Sequence, residues 1–194
     1  DKSNTELAHY QSLYKRYRAS MTKFLDKSAS RLNLDNVKII YTSFSFDISY
    51  ELGFPTKFAG NDVNIKVNDV FWSIPSTIFN NYQSQASNSQ LIIMKLAKWI
   101  AYPIYYDSTE SNYIETNVTE VSFLTLECNK IPITNLSSPI VTKEPFTQKN
   151  AYDMNTLKCK SWDDSKQQFV EGSCESFKAN NTQLLCQTCD GNTK

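Results

Sequence analysis

The chain has 194 residues, enough for one substantial core or for one core with a helical appendage. Aromatic residues make up 13% of it and only four glycines occur, a composition typical of packed, strand-rich structure rather than of a disordered segment. Twenty basic residues balance twenty acidic ones, which excludes a global field that would favour nucleic acid or an anionic membrane surface.

The first predicted element is a helix over residues 5–32, where apolar side chains recur every three or four positions. We expect this apolar stripe to pack against the rest of the domain, because tyrosines stand where a coiled coil needs leucine or isoleucine. The basic excess of the first 32 residues is interpreted as the solvated face of the helix. The stripe comprises Leu7, Tyr10, Leu13, Tyr14, Tyr17, Met21, Phe24, Leu25 and Leu32.

From Val37 onward the hydrophobic period changes to two, and β-branched and aromatic residues become frequent, which predicts strands. A single helical turn is predicted between Pro75 and Gln83. One long helix followed by many short strands indicates a twisted sandwich or a barrel-like β domain. The predicted strands cover residues 37–46, 48–52, 63–73, 91–101, 118–126, 133–141, 157–162, 168–174 and 183–189.

The most apolar run, residues 91–106, contains Lys95 and Lys98 and is shorter than the roughly 20 residues that a membrane-spanning helix needs. The sequence therefore predicts no membrane span. The chain starts at Asp1 without a signal-peptide pattern, so we expect it to be a piece of a longer protein.

Four of the five cysteines lie close together near the C-terminus: Cys159, Cys174, Cys186 and Cys189. Clustered, even-numbered cysteines indicate a disulfide framework and an oxidising compartment. The spacing of Cys186 and Cys189 also fits a zinc site, but zinc needs a second close pair of ligands, and Cys159 and Cys174 stand apart. Disulfides are therefore the favoured interpretation, and Cys128 is interpreted as a buried free thiol.

Three Asn-X-Ser/Thr sequons begin at Asn117, Asn135 and Asn180 and agree with a secreted environment. Asn117 lies in a polar stretch and is the preferred glycosylation candidate, whereas Asn135 leads into an apolar segment.

The cysteine region opens with Cys159-Lys-Ser-Trp162, continues with Phe169-Val-Glu-Gly-Ser-Cys174 and ends with Cys186, Cys189 and Thr193. It resembles the GPS motif of GAIN domains, which opens with Cys-x-x-Trp and ends with Cys-x-Cys-x-His-Leu-Thr. Between these parts the motif has an aromatic residue and a glycine before its second cysteine. Upstream, residues 70–79, 120–126 and 133–142 resemble the strands that precede the motif in that family. The matching positions here are Cys159, Trp162, Phe169, Gly172, Cys174, Cys186, Cys189 and Thr193, with two residues rather than one between Cys186 and Cys189.

The resemblance implies a mainly β fold, a twisted antiparallel β-sandwich preceded by one long N-terminal helix. It also implies disulfides between Cys159 and Cys186 and between Cys174 and Cys189, with Trp162 packed against them. The corresponding organisation is a helical segment at 1–36, a β-sandwich core at 37–156 and a disulfide-stapled motif at 157–194 within the same domain.

The sequence departs from the motif where self-cleaving family members act. There a histidine activates the threonine hydroxyl for attack on the preceding peptide carbonyl. The His-Leu-Thr positions read Gly191-Asn192-Thr193 here, so the nucleophile is present and the base is absent. The only histidine, His9, lies on the distant N-terminal helix, so we expect a vestigial cleavage site at Asn192 and Thr193 without autoproteolysis.

These features predict a non-enzymatic, membrane-proximal extracellular domain of a larger membrane protein, polycystin-1-like or REJ-like, or of the adhesion-receptor type. It would lie at the cell surface or on a ciliary membrane. Its expected partners are the rest of its own polypeptide and other extracellular proteins, without nucleic acid, metal or cofactor. The alternatives are a secreted or surface adhesion module with coincidental cysteine spacing, and an extracellular enzyme, for which the sequence offers no catalytic constellation.

Overall fold

The computed structural model describes residues 2–79, 90–100, 117–133, 136–145, 159–163, 168–171, 177–180 and 183–188. It begins with the long helix α1 (Lys2–Ser30), which matches the helix predicted from the sequence. A one-turn helix, α2 (Pro55–Phe58), starts at a proline, which suits the first helical position because its missing N–H has no partner there. A further helical turn follows Pro75 at residues 77–79, within the predicted segment.

The strands of the described residues are all paired in antiparallel fashion. They are β1 (Val37–Thr42), β2 (Phe46–Gly53), β3 (Val63–Val67), β4 (Val70–Ile74), β5 (Ile92–Trp99), β6 (Val118–Thr125), β7 (Lys130–Ile131), β8 (Ile140–Pro145), β9 (Lys160–Asp163), β10 (Gln168–Glu171), β11 (Phe177–Asn180) and β12 (Gln183–Thr188).

Two five-stranded sheets form the body of the fold, with a separate two-stranded hairpin of β9 and β10. The first sheet has the order β1-β2-β5-β6-β7, and the second has the order β11-β12-β8-β4-β3. The chain is thus a mainly β sandwich preceded by a long helix, as the sequence predicted.

The core between the sheets comes from alternate positions of facing strands. Trp72 of β4, Met94 of β5 and Phe123 of β6 are each at most 1% exposed there. The opposite face of the first sheet forms a second apolar cluster with Leu25 and Ala29 of α1. Strand β5 is buried on both faces because α1 covers one side and the second sheet covers the other.

The helix does not dock through the whole predicted stripe. Tyr10, Leu13, Tyr17, Phe24 and Leu32 remain exposed, so the expectation that the entire stripe packs against the domain was wrong. The docked face shares Tyr14, Met21 and Leu25 with that stripe and adds Arg18 and Ala29, at steps of four, three, four and four residues. This face consists of Tyr14, Arg18, Met21, Leu25 and Ala29.

Several strand boundaries also differ from the prediction. Residues 63–73 form two strands rather than one, because Asn68 and Asp69 make a two-residue turn and Asn68 has a φ of 53°. The strand expected at 133–141 lies instead at β7 and β8. Strand β11 was not predicted.

Candidate functional site

A disulfide joins Cys159 to Cys186, the pair that the GPS resemblance implies. Cys159 immediately precedes β9, and Cys186 lies within β12, with Cα atoms 5.8 Å apart across 27 residues of sequence. The bridge therefore fastens the β9–β10 hairpin to the second sheet. Because Cys186 is oxidised, its sulfur is not a thiolate ligand for zinc.

Strand β12 lies inside the second sheet rather than at its edge, between β11 and β8. Its ladder with β8 runs from Gln183 opposite Pro145 to Thr188 opposite Ile140. The Thr142 hydroxyl also donates a hydrogen bond of 3.5 Å to the Cys186 carbonyl. The last described strand of the chain is thus held by backbone pairing on both sides and by a covalent bridge.

Within the hairpin, Trp162 of β9 stands opposite Phe169 of β10 in the backbone register. Their side chains lie outside what the structure describes. The other predicted residues of the motif also lie outside the described residues: Gly172, Cys174, Cys189, Gly191, Asn192 and Thr193. His9 lies on α1 and is exposed. Cys128 is a free thiol, half-buried rather than buried, and has a φ of 66° in the turn after β6.

The three sequons have different surroundings. Asn117 is half-buried at the start of β6, and its Nδ2 donates a hydrogen bond of 3.3 Å to the buried Glu144 carboxylate. That bond connects the first sheet to β8 of the second sheet. Asn180 is the last residue of β11, and Asn135 lies outside the described residues.

A second site, missed by the sequence interpretation, is a charge cluster between α1 and the first sheet. It consists of Arg18 and Asp26 from α1, Lys95 from β5 and Glu120 from β6. The Lys95 Nζ lies 3.4 Å from Asp26 and 3.3 Å from Glu120, and its side chain is 1% exposed. Arg18 Nη2 lies 3.3 Å from Glu120.

Neutral groups complete the hydrogen bonding of the two acids in the charge cluster. Tyr50 donates to Asp26 at 2.6 Å. Trp99 Nε1 and the Ser122 hydroxyl each donate to Glu120 at 3.3 Å. The Arg18 guanidinium also lies over the Trp99 ring, 5.0 Å from its centroid. Buried charges arranged in this way avoid the large cost of isolated burial.

The electrostatics of Glu120 reflect two opposed causes. Burial alone raises the pKa of this carboxyl, but the charges of Lys95, Arg18 and Lys130 and the Trp99 hydrogen bond together lower it to about 2. The pKa of the Tyr50 phenol is raised, mainly by burial and next by the negative charge of Asp26. Glu120 is therefore ionised and Tyr50 is a neutral donor at physiological pH.

The sequence contained one signal for this cluster. Lys95 and Lys98 interrupt an apolar run that forms a strand buried on both faces, so each needed an acidic partner. On the opposite face of β5, Lys98 Nζ lies 2.6 Å from Oδ1 of Asp69 in the β3–β4 turn. Arg18 is likewise an exception to the interpretation that the basic residues of α1 are simply solvated.

The described residues contain no group of three or more His, Cys, Asp or Glu side chains that could hold a metal ion. Within the same ranges, no helix combines the length and the hydrophobicity that a membrane crossing requires.

Comparisons with known proteins show a similarity of fold. No protein-family model matches the chain, and no curated protein matches it. Among solved structures, it is similar to the full extracellular region of zebrafish Gpr126/Adgrg6, with a TM-score of 0.60 and 14% sequence identity. The match covers 80% of this chain and 23% of that chain, so this helix-and-sandwich fold resembles one part of a larger extracellular region.

Proposed function

We propose that this chain is a non-enzymatic, membrane-proximal extracellular domain of a larger membrane protein, of the GAIN and GPS type. The proposal rests chiefly on the similarity of this fold to one part, 23% of the length, of the extracellular region of zebrafish Gpr126/Adgrg6. The cysteine and tryptophan pattern from Cys159 to Thr193 supports the same assignment, apart from one extra residue between Cys186 and Cys189. A polycystin-1-like protein and an adhesion-receptor-type protein are the two parent classes that fit.

An extracellular location agrees with the Cys159–Cys186 disulfide, because such bridges persist in oxidising compartments and are rare in the cytosol. The second bridge, between Cys174 and Cys189, is part of the proposal. Glycosylation at Asn117, Asn180 or Asn135 would be consistent with the same compartment.

The proposed role is mechanical and organisational. Pulling β12 along its own direction away from β8 breaks the hydrogen bonds of a six-residue antiparallel ladder. The disulfide between Cys186 and Cys159 keeps the β9–β10 hairpin attached to β12. A domain built in this way resists force between the chain that precedes it and the chain that follows it. The partners in this role are the other segments of its own polypeptide and extracellular proteins that bind them.

Self-cleavage is not part of the proposed role. Gly191 stands where the motif has its general base, and a threonine hydroxyl is a weak nucleophile without one. Thr193 therefore corresponds to a vestigial nucleophile, and the protein is proposed to remain one covalent chain through this position.

The test is the intact mass of the full-length membrane protein and of this 194-residue chain expressed as a secreted protein, each measured after reduction and removal of N-linked glycans. The 194-residue chain should give a single species at 22.3 kDa. The Thr193→Ala variant is the matched control, since it removes the hydroxyl and should leave the pattern unchanged.

A wild-type product ending at Asn192 that disappears in Thr193→Ala would contradict the non-cleaving role. Sequencing beyond residue 194 tests the membrane-proximal role separately. An apolar segment of about 20 residues close to Thr193 is the expected result, and its absence from the parent protein would contradict that role.

A further inference from the structure

The interface between α1 and the first sheet is held by side chains and has few apolar contacts from the helix. Among the α1 side chains that the structure describes, the buried apolar ones are Leu25 and Ala29, at 4% and 0% exposure, with the half-buried Met21 packed beside them. The core between the two sheets contains no residue of α1 among its described members. Removing α1 would therefore leave the main core of the sandwich in place.

The hydrogen bonds that the structure describes across this interface also come from side chains. Tyr17 bonds with Ser45 at 3.1 Å, Arg18 with Glu120 at 3.3 Å, and Asp26 with Tyr50 at 2.6 Å. By contrast, the strands beneath α1 are joined to each other by continuous backbone ladders. The helix can thus separate without breaking a described strand pairing.

The charge cluster has one acidic and one basic residue on each side of the same boundary. Arg18 and Asp26 belong to α1, whereas Lys95 and Glu120 belong to the sheet and lie 3.3 Å from each other. Glu120 keeps its donors Trp99 and Ser122 on the sheet when the helix is absent. Separation at this boundary therefore leaves no buried lysine or glutamate without its opposite charge.

We propose that α1 is a separable element that leaves the first sheet as a unit while the disulfide-stapled sandwich stays folded. This inference does not depend on the membrane-proximal role. The charge cluster sets the register of the docked helix, and the apolar face around Ile93 and Ala97 favours the docked state. Undocking uncovers that face together with Lys95 and Glu120.

Hydrogen exchange measured by mass spectrometry on the full oxidised chain tests the inference. In the wild type, amides of residues 18–30 should exchange through a lower-energy opening than amides of β4, β5 and β8. Lys95→Met removes the ammonium group from both acids, so that in the docked state Asp26 keeps only its Tyr50 hydrogen bond and Glu120 keeps Arg18 as its cation. Exchange of α1 should therefore be at least tenfold faster. Amides of β4 and β8 should stay within twofold of the wild type.

Lys98→Met is the matched control, because Lys98 lies on the same strand, is 7% exposed and pairs with Asp69 on the other face. It should leave α1 exchange within twofold of the wild type. If Lys95→Met fails to fold, Asp26→Asn is a milder variant, because it keeps the shape of the side chain. It should make amide exchange severalfold faster in α1 alone. Equal acceleration of α1 and both sheets in these variants, or no acceleration of α1, would overturn the inference.

Discussion

Lys95 of β5 and Glu120 of β6 lie 3.3 Å apart on the face of the first sheet that α1 covers. Both residues are buried, and each also contacts a charged residue of the helix. A buried pair of this kind is costly to break on one side only, because the remaining charge stays in a low-dielectric environment. The docked position of α1 therefore depends on both charges of the pair.

The acid sensitivity of the fold should follow Glu120. Its pKa falls from an ordinary value of 4.5 to about 2, which corresponds to roughly 3 kcal/mol of stabilisation at neutral pH. Because the folded-state pKa is below the unfolded value, this contribution is complete above about pH 4.5 and is lost as pH falls toward 2. Denaturant titrations should show a flatter pH dependence in Glu120→Gln across this window, while Glu6→Gln, on the exposed part of α1, keeps the wild-type slope.

The Tyr50 hydroxyl should stabilise the docked helix through its hydrogen bond to Asp26. Tyr50→Phe removes the donor and leaves the carboxylate with one fewer partner, at a cost of about 1–3 kcal/mol. The readout is the opening free energy of α1 from hydrogen exchange. Tyr41→Phe is the control, because Tyr41 contacts the Tyr50 ring edge-on from the half-buried strand β1 and should change that free energy little.

Two neighbouring residues of α1 distinguish its docked face from its exposed face. Leu25→Ala should weaken docking by about 2–4 kcal/mol, since Leu25 is 4% exposed and its loss leaves a cavity. Phe24 is 66% exposed, so Phe24→Ala should change the opening free energy by about 0.5 kcal/mol or less. A larger effect for Phe24 than for Leu25 would contradict the observed orientation of the helix.

The Cys159–Cys186 bridge should contribute about 3–4 kcal/mol, as expected from the chain entropy of a loop spanning 27 residues. The double variant Cys159→Ser/Cys186→Ser should therefore unfold at a markedly lower denaturant concentration. Cys128→Ser serves as the control for cysteine loss, because Cys128 is a free thiol outside the bridge. An equal loss of stability in both variants would show that the bridge itself contributes little.

Much of the fold could be predicted from local periodicity. The three- and four-residue period of α1 and the runs of β-branched and other apolar residues in β5 and β6 predicted elements that the structure has at nearly the predicted bounds. The division of residues 63–73 into two strands could also have been predicted, since Asn68-Asp69 is a two-residue turn signal between apolar segments.

The charge cluster could be predicted only in part. A lysine inside a strand buried on both faces requires an acidic partner, but periodicity does not say which one. Asp26 precedes Lys95 by 69 positions and Glu120 follows it by 25, and their meeting depends on how α1 crosses the first sheet. The docked face of α1 was mispredicted in part for the same reason, because periodicity did not show that the charged Arg18 and Asp26 lie on it together with Met21 and Leu25.

The most direct test of the proposed GPS-type domain is disulfide mapping of the oxidised, secreted protein. Trypsin places Cys159, Cys174 and the Cys186–Cys189 segment on separate peptides, and fragmentation between Cys186 and Cys189 assigns each partner. The account predicts Cys159 bonded to Cys186 and Cys174 bonded to Cys189, with Cys128 free. Bridges joining Cys159 to Cys174 or Cys186 to Cys189 would contradict it.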